Sequence, residues 1–452
     1  MESLNGSRKY LNSAHNASIQ KRYAAIDSKE TRNSTDFDHT RSPVPDHKTV
    51  GWPNIAVVIF GIGITLPVFY LGSELTATLG FRNATIVFII GCSVVAAMMT
   101  ATSIVAARTR LSTYMILQFT FGHQGAKAVN LLLAITYLGY FAATGDIFGQ
   151  AIHDSLLAFY GIDIHATVCA TLGCVVMALT AVFGFSVVDR FSTMAVPLLA
   201  FFLVFVVYSA IQQTEWNALL EVPGQGGMSF GHAVSAVIGA NILMAVGAPD
   251  FTRFSRSDRD AIKTVSGLAI GYPLIMLASG IPTLVTGETD IMKIMISLDI
   301  AVPALLILIF ATWTTNTVNL YAGILTLSTI FKNTLTWKIA FVSSVIGTLG
   351  AALGVMDYFL PFVFFLGIAT APVAGIYLAD FFVLNNGRRD FADLQNVSAF
   401  GTAAYVAWIV GSGTAYLTTN TAATLTTIPA VDGLLAAFVV TVIWPKLLPS
   451  AK

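Results

Sequence analysis

Charge is scarce in this sequence. Asp, Glu, Lys and Arg make up 11% of its 452 residues, against about 25% in a soluble domain, too little to cover a water-facing surface. The formal net charge is zero, so no basic surface points to a nucleic-acid partner. Cysteine is also scarce. Cys92, Cys169 and Cys174 all lie in apolar runs, and an odd, buried set is not a disulfide framework. The seven histidines, at 15, 39, 47, 123, 153, 165 and 232, are scattered and have no metal-ligand spacing, which argues against a membrane enzyme. There is no Gly-rich phosphate loop, hence no sign of a nucleotide-driven pump. The N-terminus lacks the charged start and apolar run of a cleaved signal peptide.

What the sequence has in abundance is hydrophobic runs. They occur near 54–78, 83–107, 126–157, 164–186, 191–213, 231–250, 263–286, 301–331, 336–355, 358–384, 396–417 and 429–447. Each is long enough for a bilayer core of about 30 Å. The expectation is an all-α integral membrane protein of about twelve helices. Residues 1–50 are Ser/Asn/Asp/Lys-rich with no apolar period and read as a disordered cytoplasmic tail. With that tail inside, twenty-two of the 24 Lys and Arg fall on the inner side, leaving Arg82 and Lys293 outside. The outer loops carry acids instead, among them Asp154, Asp163, Glu288 and Asp290. One miscounted helix would reverse every later loop, so the charge asymmetry supports the helix count, and both termini are placed in the cytoplasm at the cell membrane.

Polar residues at membrane depth mark candidate sites. In Gly61-Ile-Gly63-Ile-Thr65-Leu-Pro67, two glycines and a proline invite an unwound turn whose freed carbonyls suit a cation. The sixth helix has a matching feature, Gly239-Ala-Asn241 followed by Gly247-Ala-Pro249-Asp250. If the two correspond, helices one to five and six to ten form an inverted repeat over residues 51–390, with two accessory helices in 391–452. The eighth helix holds Thr312-Trp313-Thr314-Thr315-Asn316-Thr317-Val-Asn319, a run of hard oxygen donors that also suits helix–helix hydrogen bonding. Tyr137, Tyr140 and Thr144 share a face of the third helix, fit either for a cavity wall or for plain packing. Asp146 and Glu74 are carboxylates within apolar runs, candidates for a proton or substrate role.

Several motifs in order carry a family resemblance: Arg110-Leu-Ser-Thr-Tyr with Phe119-Thr-Phe-Gly122, Asp250-Phe-Thr-Arg253-Phe, Trp313-Thr314-Thr315-Asn316, and Ala371-Pro372-Val-Ala-Gly375 with Ala379-Asp380. From about residue 50 onward the chain resembles the nucleobase:cation symporter-1 family, and bacterial cytosine permeases within it. The resemblance implies a LeuT-like fold of ten core helices plus two. It implies uptake of a planar heterocycle by cation symport with alternating access, the first and sixth helices moving against a scaffold that includes the third and eighth. It places Na⁺ between the carbonyls of Thr65 and Val68 and the hydroxyls of Thr314 and Thr315, with H⁺ as the other candidate coupling ion. Its substrate positions fall on Tyr137, Tyr140, Asn241 with Ala240 and Leu243 beside it, Ala311 and Asn316. Asn241 and Ala311 depart from the cytosine permease pattern. Expected partners are a small solute and the bilayer, with no enzyme activity, no cofactor beyond the ion, and a monomeric state. The readings left open are a carrier of another solute (a vitamin precursor, a hydantoin- or allantoin-like ureide, an amine) and a substrate sensor that does not transport.

Overall fold

The structure, a computed structural model, describes residues 42–183, 197, 200–331, 333–421 and 423–447. The helices that carry the architecture are α1 (Trp52–Gly63), α2 (Leu66–Thr109), α3 (Ala126–Tyr160), α4 (Ala166–Phe183), α5 (Ala200–Ile211), α6 (Phe230–Val246), α7 (Gly271–Thr286), α8 (Ala301–Ile330), α9 (Thr336–Ala352), α10 (Phe359–Leu378), α11 (Thr402–Asn420) and α12 (Pro429–Leu447). The described residues hold no strand, only isolated bridges. Each of the twelve apolar segments carries helix. Of residues 191–213, only 197 and 200–211 are described up to the end of α5. Of the expected tail, 1–41 lie outside the described residues. From Val44 the chain packs on the protein: Val44 is buried and donates its N–H to Arg110 O at 3.1 Å, and Val50 donates to Phe254 O at 2.8 Å.

The predicted interruption of the first helix is present. Ile64 (φ −80°, ψ 77°) and Thr65 (φ −131°, ψ 151°) leave the helix between α1 and α2. The cause is local: Pro67 has no N–H to give Gly63, so the Gly63 carbonyl accepts from Thr65 N instead, at 2.9 Å. A second turn splits α2 into its two crossings at Gly80 (φ 75°, ψ 166°). Glycine is needed there, because a Cβ would sit 2.8 Å from the Val222 carbonyl oxygen.

The helices sort into two bodies. The segments α1, α2, α6 and α7 pack together; so do α3, α4, α8 and α9; and α10 lies on α6 with α11 and α12 outside it. Each body joins two consecutive helices from the first half of the chain to their counterparts five helices later, which is the LeuT-like repeat. Hydrogen bonds knit each body internally. Thr102 Oγ1 donates to Ala245 O (2.8 Å) in the first; Asn130 Nδ2 donates to Thr329 Oγ1 (2.8 Å) and Trp313 Nε1 to Thr180 Oγ1 (3.1 Å) in the second. In lipid such bonds hold helices where the hydrophobic effect does not.

The sixth helix meets the expectation at only one of its two marked stretches. α6 runs unbroken through Gly239 and Asn241, and its interruption falls later, at Gly247–Ala248, before the short helix Pro249–Thr252. Gly239 serves packing instead: a Cβ there would overlap the Val363 carbonyl of α10. Gly239→Ala is expected to destabilise the detergent-solubilised protein by about 1–3 kcal/mol through this overlap, seen as a lower melting temperature.

A short helix that hydropathy does not reveal, Thr113–Phe121, follows α2, capped by Ser112 accepting from Met115 N. Two of the resemblance motifs meet around it. Asp250 Oδ1 accepts from Thr113 N (2.9 Å). Arg110, itself at φ 60°, donates to the carbonyls of Arg253 (3.3 Å), Ser255 and Arg256 (3.5 Å). These signatures are structural ties between the ends of α2 and α6. Asp380 likewise pairs with Arg389 at 2.7 Å, at the end of α10.

Candidate solute and cation site

The break between α1 and α2 opens onto a small cavity of about 30 Å³. Its lining comes from the break (Ile64, Thr65, Leu66), α3 (Thr144), α5 (Phe202, Leu203) and α8 (Leu308, Thr312, Thr315). The cavity therefore lies where the two bodies face each other. Its walls are apolar apart from hydroxyl and backbone oxygens, and no charged side chain lines it among the described residues.

Two side chains in this lining stand out. Thr144 and Thr312 are each 1% exposed, and neither hydroxyl has a hydrogen-bond partner. An unsatisfied buried hydroxyl costs about 1–3 kcal/mol, so two of them facing one cavity point to polar groups that an occupant would satisfy. The sequence puts Thr144 on one face with Tyr137 and Tyr140 and puts Thr312 at the head of the polar run of the eighth helix, but gives no reason to pair them. That reason is the cavity they share.

The four residues of the expected cation site are in part brought together. Thr65 and Thr315 line the same cavity. Thr65 O accepts from Phe69 N at 3.0 Å, which occupies one of its two lone pairs. Thr314 Oγ1 donates to Phe310 O at 3.1 Å, and Val68 lies buried in the first turn of α2. The negative end of the α1 dipole points at this place. Neutral hydroxyl and carbonyl oxygens fit a hard monovalent cation. Among the described residues there is no group of three or more His, Cys, Asp or Glu.

The expected solute residues are spread along the interface. Tyr140 reaches across it: its hydroxyl donates to Ala240 O of α6 at 2.5 Å, joining the two bodies. Tyr137 is half-buried, its Cβ near Gly323 of α8. Asn241 is buried and turns back on its own helix, Nδ2 donating to Val237 O at 2.8 Å. Leu243, two residues further along, is half-buried. Asn316 points into the second body, its Nδ2 donating to Phe141 O of α3 at 3.1 Å, while its Oδ1 is buried without a partner. Ala311 lies on α8, its side chain outside the described residues.

Asp146 and Glu74 do not line the cavity. Asp146 Oδ2 accepts from Met356 N at 2.9 Å and its Oδ1 from Gln150 Nε2 at 3.1 Å. Glu74 stands one turn beyond Tyr70 on α2, half-buried.

A first helix broken midway, two packed bodies and a neutral, hydroxyl-lined cavity between them are the parts of a membrane transporter. Comparison with known proteins takes this to a family. Residues 43–441 match the family described as permeases for cytosine/purines, uracil, thiamine and allantoin, and the chain belongs to it. The cytosine permease of Escherichia coli K12 is 26% identical over 370 residues, 81% of this chain and 86% of the relative. A hydantoin permease of Microbacterium maritypicum is 23% identical over 409 residues, 82% of each chain. In fold, the chain is similar to a nucleobase-cation-symport-1 transporter solved closed with bromovinylhydantoin bound (TM-score 0.75, 19% identity, 91% of this chain and 96% of that one). It is also similar to the inward-facing form of Mhp1 (TM-score 0.78, 18% identity, 91% and 94%). The protein is a membrane transporter, not an enzyme.

Proposed function

We propose that the protein imports a nucleobase-like heterocycle across the cell membrane by symport with Na⁺. The observation that carries this reading is a cavity in which the helix break at Thr65 meets Thr315, Thr312 and Thr144, with no carboxylate among its described lining. A proton carrier needs a titratable group at the site. Asp146, the nearest candidate on α3, is engaged at both oxygens elsewhere, which favours Na⁺ over H⁺. One Na⁺ entering down 100 mV supplies about 2.3 kcal/mol, enough for a roughly fiftyfold solute gradient.

In this reading α1, α2, α6 and α7 rock against α3, α4, α8 and α9, the tail and both termini are cytoplasmic, α11 and α12 are accessory, and the unit is a monomer. A hydantoin-type solute is the second reading, supported by the hydantoin permease relative.

A melting-temperature screen of purified protein tests the binding half of the proposal. Cytosine, uracil, allantoin and hydantoin are each added in NaCl and in KCl at equal strength. At least one is expected to raise the melting temperature, and more so in Na⁺, because ligand and ion bind the same state. Shifts equal in the two salts would count against Na⁺.

A further inference from the structure

Basic side chains gather around one tryptophan at the start of α1. Val50 donates to Phe254 O, and the parallel bridge between Val50 and Ser255 sets residues 48–52 alongside residues 253–257. Lys48 and Trp52 are thereby brought beside the segment that carries Arg256. Lys263 Nζ lies over the Trp52 ring, 5.9 Å from its centroid. Arg259 is one turn before Lys263 on the short helix Asp258–Thr264 and shares its face. Lys48, Arg256, Arg259 and Lys263 are all exposed. The neighbouring acids are largely engaged: Asp258 pairs with Arg108 at 2.8 Å and Asp46 with Arg110 at 3.7 Å, which leaves Asp260.

The short helix is held in place from behind. Ser257 Oγ accepts from Asp260 N at 3.2 Å and caps it, and its buried residues Ala261 and Thr264 belong to a helix packed on α1 and α2. A Cβ at Gly267 would overlap the Ala56 carbonyl, so the chain after the helix runs against α1. The outer face carries Arg259 and Lys263, and with them Ile262, an apolar side chain left 45% exposed. Exposed aliphatic residues begin on both flanks, Val57 and Val58 on α1 and Ile270 and Leu274 at the start of α7. In a membrane protein such faces meet acyl chains, and Trp with Lys or Arg marks the level of the headgroups. The basic group therefore stands where the headgroups begin.

We propose that Lys48, Arg256, Arg259 and Lys263, around Trp52, seat the phosphate headgroup of an anionic phospholipid, with its acyl chain against Ile262. The two guanidinium groups offer forked donors that match phosphate oxygens, and the two ammonium groups add point charges. A free phosphate anion meets the same cations, but only a lipid also covers Ile262. The seat is built on α1 and on the link from α6 to α7, within the body that contains the helix break. It does not depend on which solute the protein carries.

The test is the melting temperature of the delipidated, detergent-solubilised full-length protein. Dioleoyl-phosphatidylglycerol, dioleoyl-phosphatidylcholine and glycerophosphate are each added at equal concentration. The phosphatidylglycerol is expected to raise the melting temperature by roughly 4 °C or more, and the other two by little. Arg259→Gln with Lys263→Gln should lose about half of that rise or more, because each basic group at the membrane surface contributes to holding the anion. Lys127→Gln with Lys446→Gln, which removes the same charge from α3 and α12, should keep it. Raising KCl from about 0.1 M to about 0.5 M should roughly halve the wild-type rise. Equal rises with the two lipids, or a rise with glycerophosphate as large as with the anionic lipid, overturn the lipid seat. So does a full rise in the Arg259→Gln, Lys263→Gln protein, or an equal loss in the Lys127→Gln, Lys446→Gln protein. Should the first pair fail to fold, the wild-type KCl series decides, and a rise unmoved by KCl overturns the seat.

Discussion

Replacing Thr314 and Thr315 together by alanine is expected to abolish Na⁺-dependent accumulation while leaving the fold intact. Thr315 lines the cavity at the α1–α2 break, and Thr314 Oγ1 beside it in sequence donates to Phe310 O of its own helix. Losing both hydroxyls removes the oxygens that α8 would offer in the proposed cation site, which a dehydrating cation has no water to replace. At 100 mV, uncoupling one ion removes about 2.3 kcal/mol of driving force, so the roughly fiftyfold gradient should collapse to equilibration. Tracer uptake with and without a Na⁺ gradient reads this directly, and unchanged Na⁺ dependence would sink the cation assignment.

Thr144→Val with Thr312→Val should produce opposite effects on stability and transport. Valine keeps the shape of threonine and removes the hydroxyl. Because both hydroxyls are buried without partners, deleting them should leave the empty protein as stable or more so, by about 1 kcal/mol each. If these groups bind the occupant, uptake should fall at least tenfold, because a solute's polar edge then faces hydrocarbon. Melting temperature and uptake of the same preparation provide the check. A protein that is more stable and equally active would show that the two threonines bind nothing.

The break in the first helix was legible in the sequence because its cause is local. Pro67 acts on the carbonyl four residues back, and two glycines stand beside it. The charge asymmetry was legible because it is a count along the chain. The sixth helix was half legible: its interruption falls at Gly247-Ala-Pro249, as the sequence suggests, whereas Gly239 looks like a hinge in sequence but is small because the α10 backbone passes against it. Asn316 reads in sequence as a solute residue; in the structure its Nδ2 bonds the Phe141 carbonyl across a helix interface. A run of threonine and asparagine reveals polar groups at membrane depth but not which side of a helix meets a cavity. Asp146 carries the same lesson, since its partner, the Met356 N–H, is 210 residues away. The pairing of Thr144 with Thr312 is likewise a product of tertiary packing.

The most direct test of Na⁺ symport is accumulation of radiolabelled cytosine, uracil and hydantoin in proteoliposomes under three conditions: an inward Na⁺ gradient, an equal K⁺ gradient, and an inward proton gradient without Na⁺. The account predicts concentrative uptake of at least one solute under the Na⁺ gradient alone. Accumulation driven by the proton gradient without Na⁺, or equal uptake under all three, would contradict it.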